Sequence, residues 1–340
     1  MKGAMIGAGY FAGFHAEAWQ RITDVEIVGV VDPLLERAQE FASEWNIKRV
    51  YQDAEELFSK HALDFVDLAT RPETHLELTW LAAGHNVNII CQKPMAPSWE
   101  ECLQMVKAAE QQGVRLLMHE NWRWQPWYRQ MKRLLEDQKL GKVFYLGYRM
   151  RSGDGRGENP YKLQPYFRQM KLLLVYETII HFLDTFRYLE GEFESLFCQM
   201  TRVNPVLQGE DCAVVQLAFQ SGARGVIDAN RISGPPALTL TLGECRLEGE
   251  EATLRLSEDG RLWLKRYDQD EIQHPYELPE YGYRGNSVEA TQRHCVDALR
   301  SGSRCESEGR DYLKTMEAVF ACYRSAQNNC SIDLTGQYEL

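Results

Sequence analysis

The chain has 340 residues and a mass of 39.3 kDa, beyond the size at which a single hydrophobic core usually stops growing, and we predict two domains. Apolar residues make up 44% and charged residues 26%, and no apolar run is long enough to span a membrane. This composition excludes a membrane, collagen-like or disordered protein. The net charge of −11 argues against nucleic acid or an anionic membrane surface as a partner, so we expect a small molecule.

The nine cysteines are odd in number and never occur in a Cys-x-x-Cys spacing. This pattern argues against a disulfide framework or a thiolate zinc site. The first seven residues enter a strand-like pattern at once, without the apolar stretch and cleavage site of a signal peptide. We therefore expect a reduced, cytoplasmic protein.

In the first third of the chain, short apolar runs alternate with amphipathic segments of helical period. The runs are residues 4–7, 26–31, 65–69, 87–91 and 115–118, and the helical segments are residues 34–45, 72–83 and 97–112. This alternation predicts repeated β-α units and a parallel, doubly wound sheet. Ser98 stands three residues before Glu101, a spacing that predicts a capping box at the start of the last helix.

After residue 122 the period changes. Helices are predicted over about 126–138 and 175–189, a strand near 143–150, and a glycine- and arginine-rich loop over 151–157. Strand-sized segments then follow with short turns, at residues 193–202, 211–219, 225–231, 238–242, 252–256 and 262–266. They predict an open, mainly antiparallel sheet, closed by helices near 288–301 and 310–328.

A glycine-rich pattern, Gly-x-Gly-x-x-Ala, follows the first predicted strand and opens a helix. It consists of Gly7, Gly9, Tyr10, Phe11 and Ala12. Glycines here allow a pyrophosphate to approach the helix N-terminus, where backbone N–H groups and the helix dipole favour it; a simple turn is the alternative. The second strand leads into Asp32, whose carboxylate would bind ribose hydroxyls and repel a 2′-phosphate. We predict a Rossmann domain that prefers NAD to NADP.

Three further motifs carry a resemblance to a known family. They are Gln92-Lys93-Pro94 after a strand, Thr70-Arg71-Pro72 followed by His75, and Arg123 with Pro126. Together with the glycine pattern they resemble the Gfo/Idh/MocA oxidoreductases over nearly the whole chain. The resemblance implies that Lys93 lies between nicotinamide and substrate, that its bond to Pro94 is cis, and that Thr70, Arg71, His75 and Gln92 lie beside the cofactor. Gln92 stands where the family usually has Glu, so Lys93 lacks one neighbouring carboxylate that would favour its charged form.

The second half of the family signature is an acid four residues before a histidine, here Glu177 and His181, with Asp184 three residues further. At helical spacing the three side chains share one face. Metal binding and a structural core histidine are alternatives to catalysis. The resemblance implies His181 as general base and Glu177 as a substrate-binding or orienting group, in place of the usual Asp.

Aromatic and hydrogen-bonding residues mix in the run 119–128, which suits a polyol because rings stack on the apolar face of a sugar. Asn121, Trp122 and Trp124 are our candidate substrate ligands there, although structural aromatics explain the run nearly as well. Arg151 and Arg168, from the glycine-rich loop and a following lid-like segment, are candidates to bind an anionic group, with a solvated loop as the alternative.

We therefore predict a Rossmann domain over residues 1–122 and an α/β substrate-binding and oligomerisation domain over 123–340, whose closing helices could pack back on the first. Within the family the chain looks most like aldose dehydrogenases, which implies that NAD oxidises an aldose such as D-apiose at C1 to a lactone. The alternatives are a ring-hydroxyl dehydrogenase acting on inositol or at C3 of a glucoside, an NAD-dependent glycosidase, and a non-catalytic dinucleotide-binding regulator. We expect no metal, and a homo-oligomer, dimer or tetramer.

Overall fold

The computed structural model describes residues 1–235 and 238–336. The chain divides into two compact units. The first consists of Met1–Trp124 with Tyr281–Met316, and the second of Gln125–Glu280 with the described residues from Glu317 onward. Each unit is built around its own sheet.

The described residues form nine α-helices and fifteen β-strands. The helices are α1 (Tyr10–Trp19), α2 (Leu35–Glu44), α3 (Ala54–Lys60), α4 (His75–Gly84), α5 (Trp99–Gln111), α6 (Pro126–Glu136), α7 (Ile180–Glu190), α8 (Ser287–Ser301) and α9 (Gly309–Asn328). The strands are β1 (Lys2–Ile6), β2 (Glu26–Val31), β3 (Val50–Tyr51), β4 (Phe65–Leu68), β5 (Asn88–Gln92), β6 (Leu116–His119), β7 (Val143–Arg151), β8 (Phe193–Thr201), β9 (Cys212–Phe219), β10 (Arg224–Asn230), β11 (Glu244–Gly249), β12 (Ala252–Leu256), β13 (Leu262–Arg266), β14 (Ile272–His274) and β15 (Ile332–Asp333).

The first unit contains a six-stranded parallel sheet in the order β3-β2-β1-β4-β5-β6. Its inner strands are apolar runs without alternation, as expected of strands that helices cover on both faces; all four residues of β4 are buried. The strand order reverses between β1 and β4, so the loops that follow these two strands flank the position where sheets of this type bind ligands. The predicted doubly wound parallel sheet is confirmed.

The predicted capping box begins α5. The Ser98 side chain accepts the Glu101 backbone N–H at 3.2 Å, and its hydroxyl donates to the Glu101 carboxylate at 2.9 Å. The first bond satisfies a backbone N–H that the first helical turn would otherwise leave without a partner, and the second joins the two side chains.

The second unit contains a nine-stranded sheet in the order β14-β13-β12-β11-β7-β10-β9-β8-β15. Among the described strands of this second sheet only the β7–β10 pair is parallel, so the predicted mainly antiparallel sheet is confirmed. Burial alternates along β9: Ala213, Val215, Leu217 and Phe219 are buried, whereas Val214 is 37% exposed.

One predicted strand is wrong. Residues 238–242 lie in a loop, and the strand in this region is β11 instead. Leu242 and Gly243 have φ values of +63° and +152°, which interrupt an extended backbone despite the alternating leucines before them. Charged residues on the exposed face of β11 hid its strand pattern. None of the described helices combines the length and the apolar character needed to cross a membrane.

Candidate active site

The glycine loop after β1 has the features that a dinucleotide requires. Gly7 has a φ of +103°, and a Cβ there would lie 2.6 Å from the carbonyl oxygen of Ala69, so this position requires glycine. Gly9, by contrast, has open space where a side chain would stand, and it is the N-cap of α1, whose start has no side-chain cap. Bare N–H groups at a helix N-terminus with space in front of them fit the pyrophosphate of NAD.

Three other residues of the glycine pattern lie on α1. Ala12 is buried, Phe11 packs edge-on against Tyr283 at 5.3 Å between ring centroids, and Tyr10 is half exposed. Burial raises the pKa of the Tyr10 phenol, and the neighbouring Tyr283 adds to this effect. Ala12 therefore serves helix packing, and Tyr10 is the residue of this pattern that presents its ring to solvent.

Asp32 lies at the end of β2 with 3% of its surface exposed. Its carboxylate accepts the backbone N–H groups of Ala8, at 3.1 Å, and of Leu34, at 3.0 Å. The guanidinium of the half-exposed Arg37 is 3.5 Å away. Asp32 thus also holds the glycine loop in place, which the sequence did not reveal.

His75 connects the loops that follow β4 and β5. Its ring is fully buried, with Nδ1 3.0 Å from the carbonyl oxygen of Met95 and Nε2 3.3 Å from that of Thr70. Burial holds its pKa below the usual range, so the ring is neutral and donates one N–H, best to Met95. Thr70 accepts a hydrogen bond from Thr74 at 2.8 Å, and Arg71 is exposed at the start of the same turn.

Lys93 directly follows β5, and its bond to Pro94 is cis, as the resemblance implies. The Gln92 side chain is buried and turns back toward the protein interior. Its Oε1 accepts the Lys93 backbone N–H at 2.6 Å, and its Nε2 lies 3.1 Å from Nε2 of His15. Strand β5 therefore carries Lys93 to the carboxyl edge of the sheet, and Gln92 anchors its peptide.

The Gln92 side chain contacts His15, which is bonded to the fully buried carboxylate of Asp67. Nδ1 of His15 is 2.9 Å from the carboxylate of Asp67, which also accepts the Trp19 indole N–H at 2.6 Å. Burial alone would raise the pKa of Asp67, but the interactions with His15, supported by His119 and Trp19, hold it below its usual value. The ring centroid of His119 lies 3.9 Å from that of His15, and burial, followed by the neighbouring His15 ring, keeps the pKa of His119 well below the ordinary value.

Three side chains of the predicted sugar-binding run, those of Asn121, Trp122 and Trp124, contact other residues of the first unit. Asn121 donates to the Ser287 hydroxyl at 2.9 Å, and Trp122 is 3% exposed beneath the guanidinium of Arg284. Trp124 is partly exposed and lies 4.5 Å from His294 between ring centroids.

In the second unit the acid and the histidine lie on either side of a change in helix type. Val175–Ile179 forms a π-helical turn that continues directly into α7 at Ile180. Glu177, within the π turn, is partly exposed, whereas His181 is 6% exposed and Asp184 is fully buried. Such turns widen a helix locally and occur frequently at functional sites.

Glu210 holds the start of this helix. Its buried carboxylate accepts the backbone N–H groups of Val175, at 3.0 Å, and Leu173, at 3.2 Å, and the Tyr323 hydroxyl at 2.6 Å. A carboxylate at a helix N-terminus also interacts favourably with the helix dipole. Burial outweighs these bonds and raises the pKa of Glu210.

Arg231 ties the glycine-rich loop to the same helix. Its guanidinium donates to Asp154 at 2.5 Å and to the Thr178 hydroxyl at 3.0 Å, and it lies 4.8 Å from the Tyr161 ring centroid. Burial would lower the pKa of Arg231, but Asp154, with smaller contributions from Tyr161 and Glu177, raises it, so the group stays charged. The glycine-rich loop is therefore attached by hydrogen bonds to the rest of the unit that carries Glu177.

The two candidate anion-binding arginines are already engaged within the second unit. Arg151 pairs with the Asp228 carboxylate, and Arg168 contacts Pro165 and Asn159. Across the described residues, no three His, Cys, Asp or Glu side chains are arranged to hold a metal ion.

Each unit gathers part of the predicted site. The carboxyl edge of the parallel sheet brings together the glycine loop, Asp32, Thr70 and Lys93, while the second unit carries Glu177 and His181 on one helix. Sequence reasoning missed His15, Asp67, Glu210 and Arg231. A buried charged residue inside an apolar strand, as at Asp67, was the one available signal.

Fold and glycine loop together define the first unit as a dinucleotide-binding Rossmann domain. Residues 1–120 match the family model described as an oxidoreductase family with an NAD-binding Rossmann fold, and residues 128–255 match the Gfo/Idh/MocA C-terminal domain. The chain belongs to the Gfo/Idh/MocA family and is an NAD-dependent oxidoreductase.

Several relatives match nearly the whole chain. The D-apiose dehydrogenase of Paraburkholderia graminis is 35% identical, over 98% of this chain and 89% of that protein, and the D-apiose dehydrogenase of Rhizobium rhizogenes is 33% identical, over 98% and 97%. An oxidoreductase from Agrobacterium radiobacter, solved in complex with NAD+, L-tartaric acid and magnesium, is 32% identical with a TM-score of 0.92, covering 98% of both chains.

Proposed function

We propose that this enzyme oxidises a free aldose, of which D-apiose is the best candidate, at its anomeric hydroxyl to give a lactone. The observation that carries the proposal is the similarity to two D-apiose dehydrogenases along 98% of the chain. The retained Lys93 and His181 support an enzyme rather than a non-catalytic dinucleotide-binding regulator.

In the proposed reaction NAD supplies the hydride acceptor. Gly7, Gly9 and Asp32 would hold the dinucleotide, with Thr70, Arg71 and the segment 92–93 beside it. Lys93 would hold and polarise the reacting hydroxyl, and His181 would remove its proton as general base. Glu177 would bind a neighbouring sugar hydroxyl, and its partly exposed side chain on a fixed helix turn supports that role.

The other candidate substrate residues differ in how accessible their side chains are to a substrate. Trp124 is partly exposed and could stack on a sugar face, whereas Asn121 and Trp122 are buried and would act mainly by shaping the site. Arg151 and Arg168 would contact substrate only by exchanging the partners they hold.

A panel of polyols and of aldoses, with each aldose paired with its methyl glycoside, tests the proposal by NADH absorbance and product identification. We expect turnover of a free aldose to an aldonic acid, formed by hydrolysis of the lactone, and none of its methyl glycoside. A ring-hydroxyl dehydrogenase, which the 29% identity to a myo-inositol 2-dehydrogenase from Thermotoga maritima makes the second candidate, would accept the glycoside and form a ketone. Release of methanol without net NADH would indicate a glycosidase.

We also propose that the enzyme works in the cytoplasm as a homo-oligomer, a dimer or a tetramer. One face of the second unit's sheet carries partly exposed apolar residues, Val214, Val226 and Phe197, on neighbouring strands. An open sheet face with apolar side chains is suited to association with a second copy.

A further inference from the structure

The buried side chains behind Lys93 form one continuous hydrogen-bonded chain. It runs from the Lys93 peptide N–H through the Gln92 amide to Nε2 of His15, and from Nδ1 of His15 to the Asp67 carboxylate. Gln92 is 6% exposed, and His15 and Asp67 are fully buried, so water cannot readily replace these partners.

The peptide N–H fixes which way the Gln92 amide points. An N–H can only donate, so the amide atom 2.6 Å from it must be the oxygen, as the structure has it. The amide nitrogen, with two donors, therefore faces Nε2 of His15 at 3.1 Å, and this ring nitrogen must accept. His15 is then neutral, with its single proton on Nδ1, donated to Asp67.

The position of the negative charge in this hydrogen-bonded series follows from the same geometry. Asp67 carries the negative charge at the far end, where the N–H groups of His15 and Trp19 stabilise it. The His15 ring also packs against the ring of His119. The low pKa of His119 keeps the His119 ring neutral as well. We call the series of the Lys93 peptide N–H, Gln92, His15 and Asp67 the relay. Within this relay no charged group lies next to the Lys93 peptide.

We propose that Gln92 is a positioning residue, which fixes the Lys93 peptide at the strand end by linking it to a neutral His15 that Asp67 orients. This inference rests on the proposed function only in taking Lys93 as the residue that acts on substrate. The relay itself is a property of the resting protein and is measurable without turnover.

The first test is the ¹⁵N spectrum of the histidine rings in the full-length protein, with the His15 signals assigned by their loss in His15→Asn. We expect a neutral ring with Nδ1 protonated and Nε2 unprotonated at neutral pH. In Gln92→Glu a carboxylate oxygen would face Nε2, so we expect His15 to gain a second proton there. A wild-type His15 protonated on Nε2 would overturn the proposal, whether or not any sugar is turned over.

Kinetics give the second test. Gln92→Met keeps a side chain of similar length but removes both hydrogen bonds. We expect kcat to fall ~10-fold or more with little change in the KM for NAD, because Lys93, which would then be misplaced, acts in the transition state. Gln92→Glu, which keeps the acceptor for the Lys93 N–H, should retain more of the wild-type kcat than Gln92→Met. The exposed Gln112→Glu is the matched control. Wild-type kcat in Gln92→Met would remove Gln92 from the mechanism, whereas a wild-type enzyme inactive on every sugar would count against the proposed function alone.

Discussion

At the residue scale, Asp32 combines cofactor selection with support of the glycine loop. Its carboxylate accepts two backbone N–H groups, and Arg37 stands beside it. Replacing the carboxylate by an amide keeps an acceptor for the loop but removes the charge that opposes a 2′-phosphate. We expect Asp32→Asn to narrow the preference for NAD over NADP by ~10-fold or more, measured as the ratio of kcat/KM values.

Arg37 provides the control for this prediction. In Asp32→Asn the Arg37 guanidinium would be available to a 2′-phosphate, so the double variant Asp32→Asn/Arg37→Ala should use NADP less well than Asp32→Asn alone. Equal or better use of NADP by the wild-type enzyme would contradict the assignment of Asp32.

Lys93 and His181 are predicted to act on the reacting hydroxyl. Lys93→Ala and His181→Ala should each lower kcat by ~10²-fold or more, the usual range for lost acid–base assistance, and leave the Kd for NAD nearly unchanged. Wild-type oxidation should also accelerate with pH through the range in which imidazole loses its proton, and His181→Ala should lose this dependence. Normal turnover in either variant would exclude that residue from catalysis.

The sequence predicted those residues that follow a strand in a motif of fixed spacing, such as Gly7, Asp32 and Lys93. It could not predict His15 with Asp67, which are 52 positions apart and meet only because α1 packs over β4. Arg231 was missed for the same reason, since its partners Asp154 and Thr178 come from two other parts of the chain.

At the scale of elements, the helix that carries Glu177 and His181 differs from its predicted form. Sequence periodicity predicted one α-helix over residues 175–189, but its first five residues form a π turn. A π turn has no sequence periodicity of its own over so few residues. The backbone N–H groups of its first turn are bonded to Glu210 and Tyr323, which are remote in the sequence.

Glu210→Ala should destabilise the protein because it leaves buried N–H groups without an acceptor, by about 1–3 kcal/mol in the free energy of unfolding. Tyr323→Phe removes one bond to the carboxylate and should cost less. Denaturant unfolding of both variants measures the two values, and an unchanged stability of Glu210→Ala would contradict the capping role.

The pH dependence of this effect has a defined sign. Because burial raises the pKa of Glu210 above its unfolded value, folding favours the protonated carboxyl. This contribution is complete below the unfolded pKa and is lost as the pH rises through the folded one. The stability difference between wild type and Glu210→Ala should therefore decrease as the pH rises above the ordinary pKa of a glutamate.

At the scale of the whole molecule, the open sheet face of the second unit is the predicted contact between copies. Val214→Arg places a charge on that face and should lower the mass measured by light scattering. Val203→Arg is the matched control, because Val203 is an exposed valine outside the strands, 51% accessible. An unchanged assembly in Val214→Arg, or a monomeric wild type, would contradict the homo-oligomer proposal.

Oxidation at the anomeric carbon is tested most directly by the fate of the hydrogen on that carbon. The purified enzyme is incubated with NAD and D-apiose deuterated at C1, and both products are analysed by NMR and mass spectrometry. We expect deuterium at C4 of the nicotinamide ring in NADH, together with an unlabelled lactone or aldonic acid. NADH without deuterium, accompanied by a keto-sugar that keeps its label at C1, would contradict the proposed function.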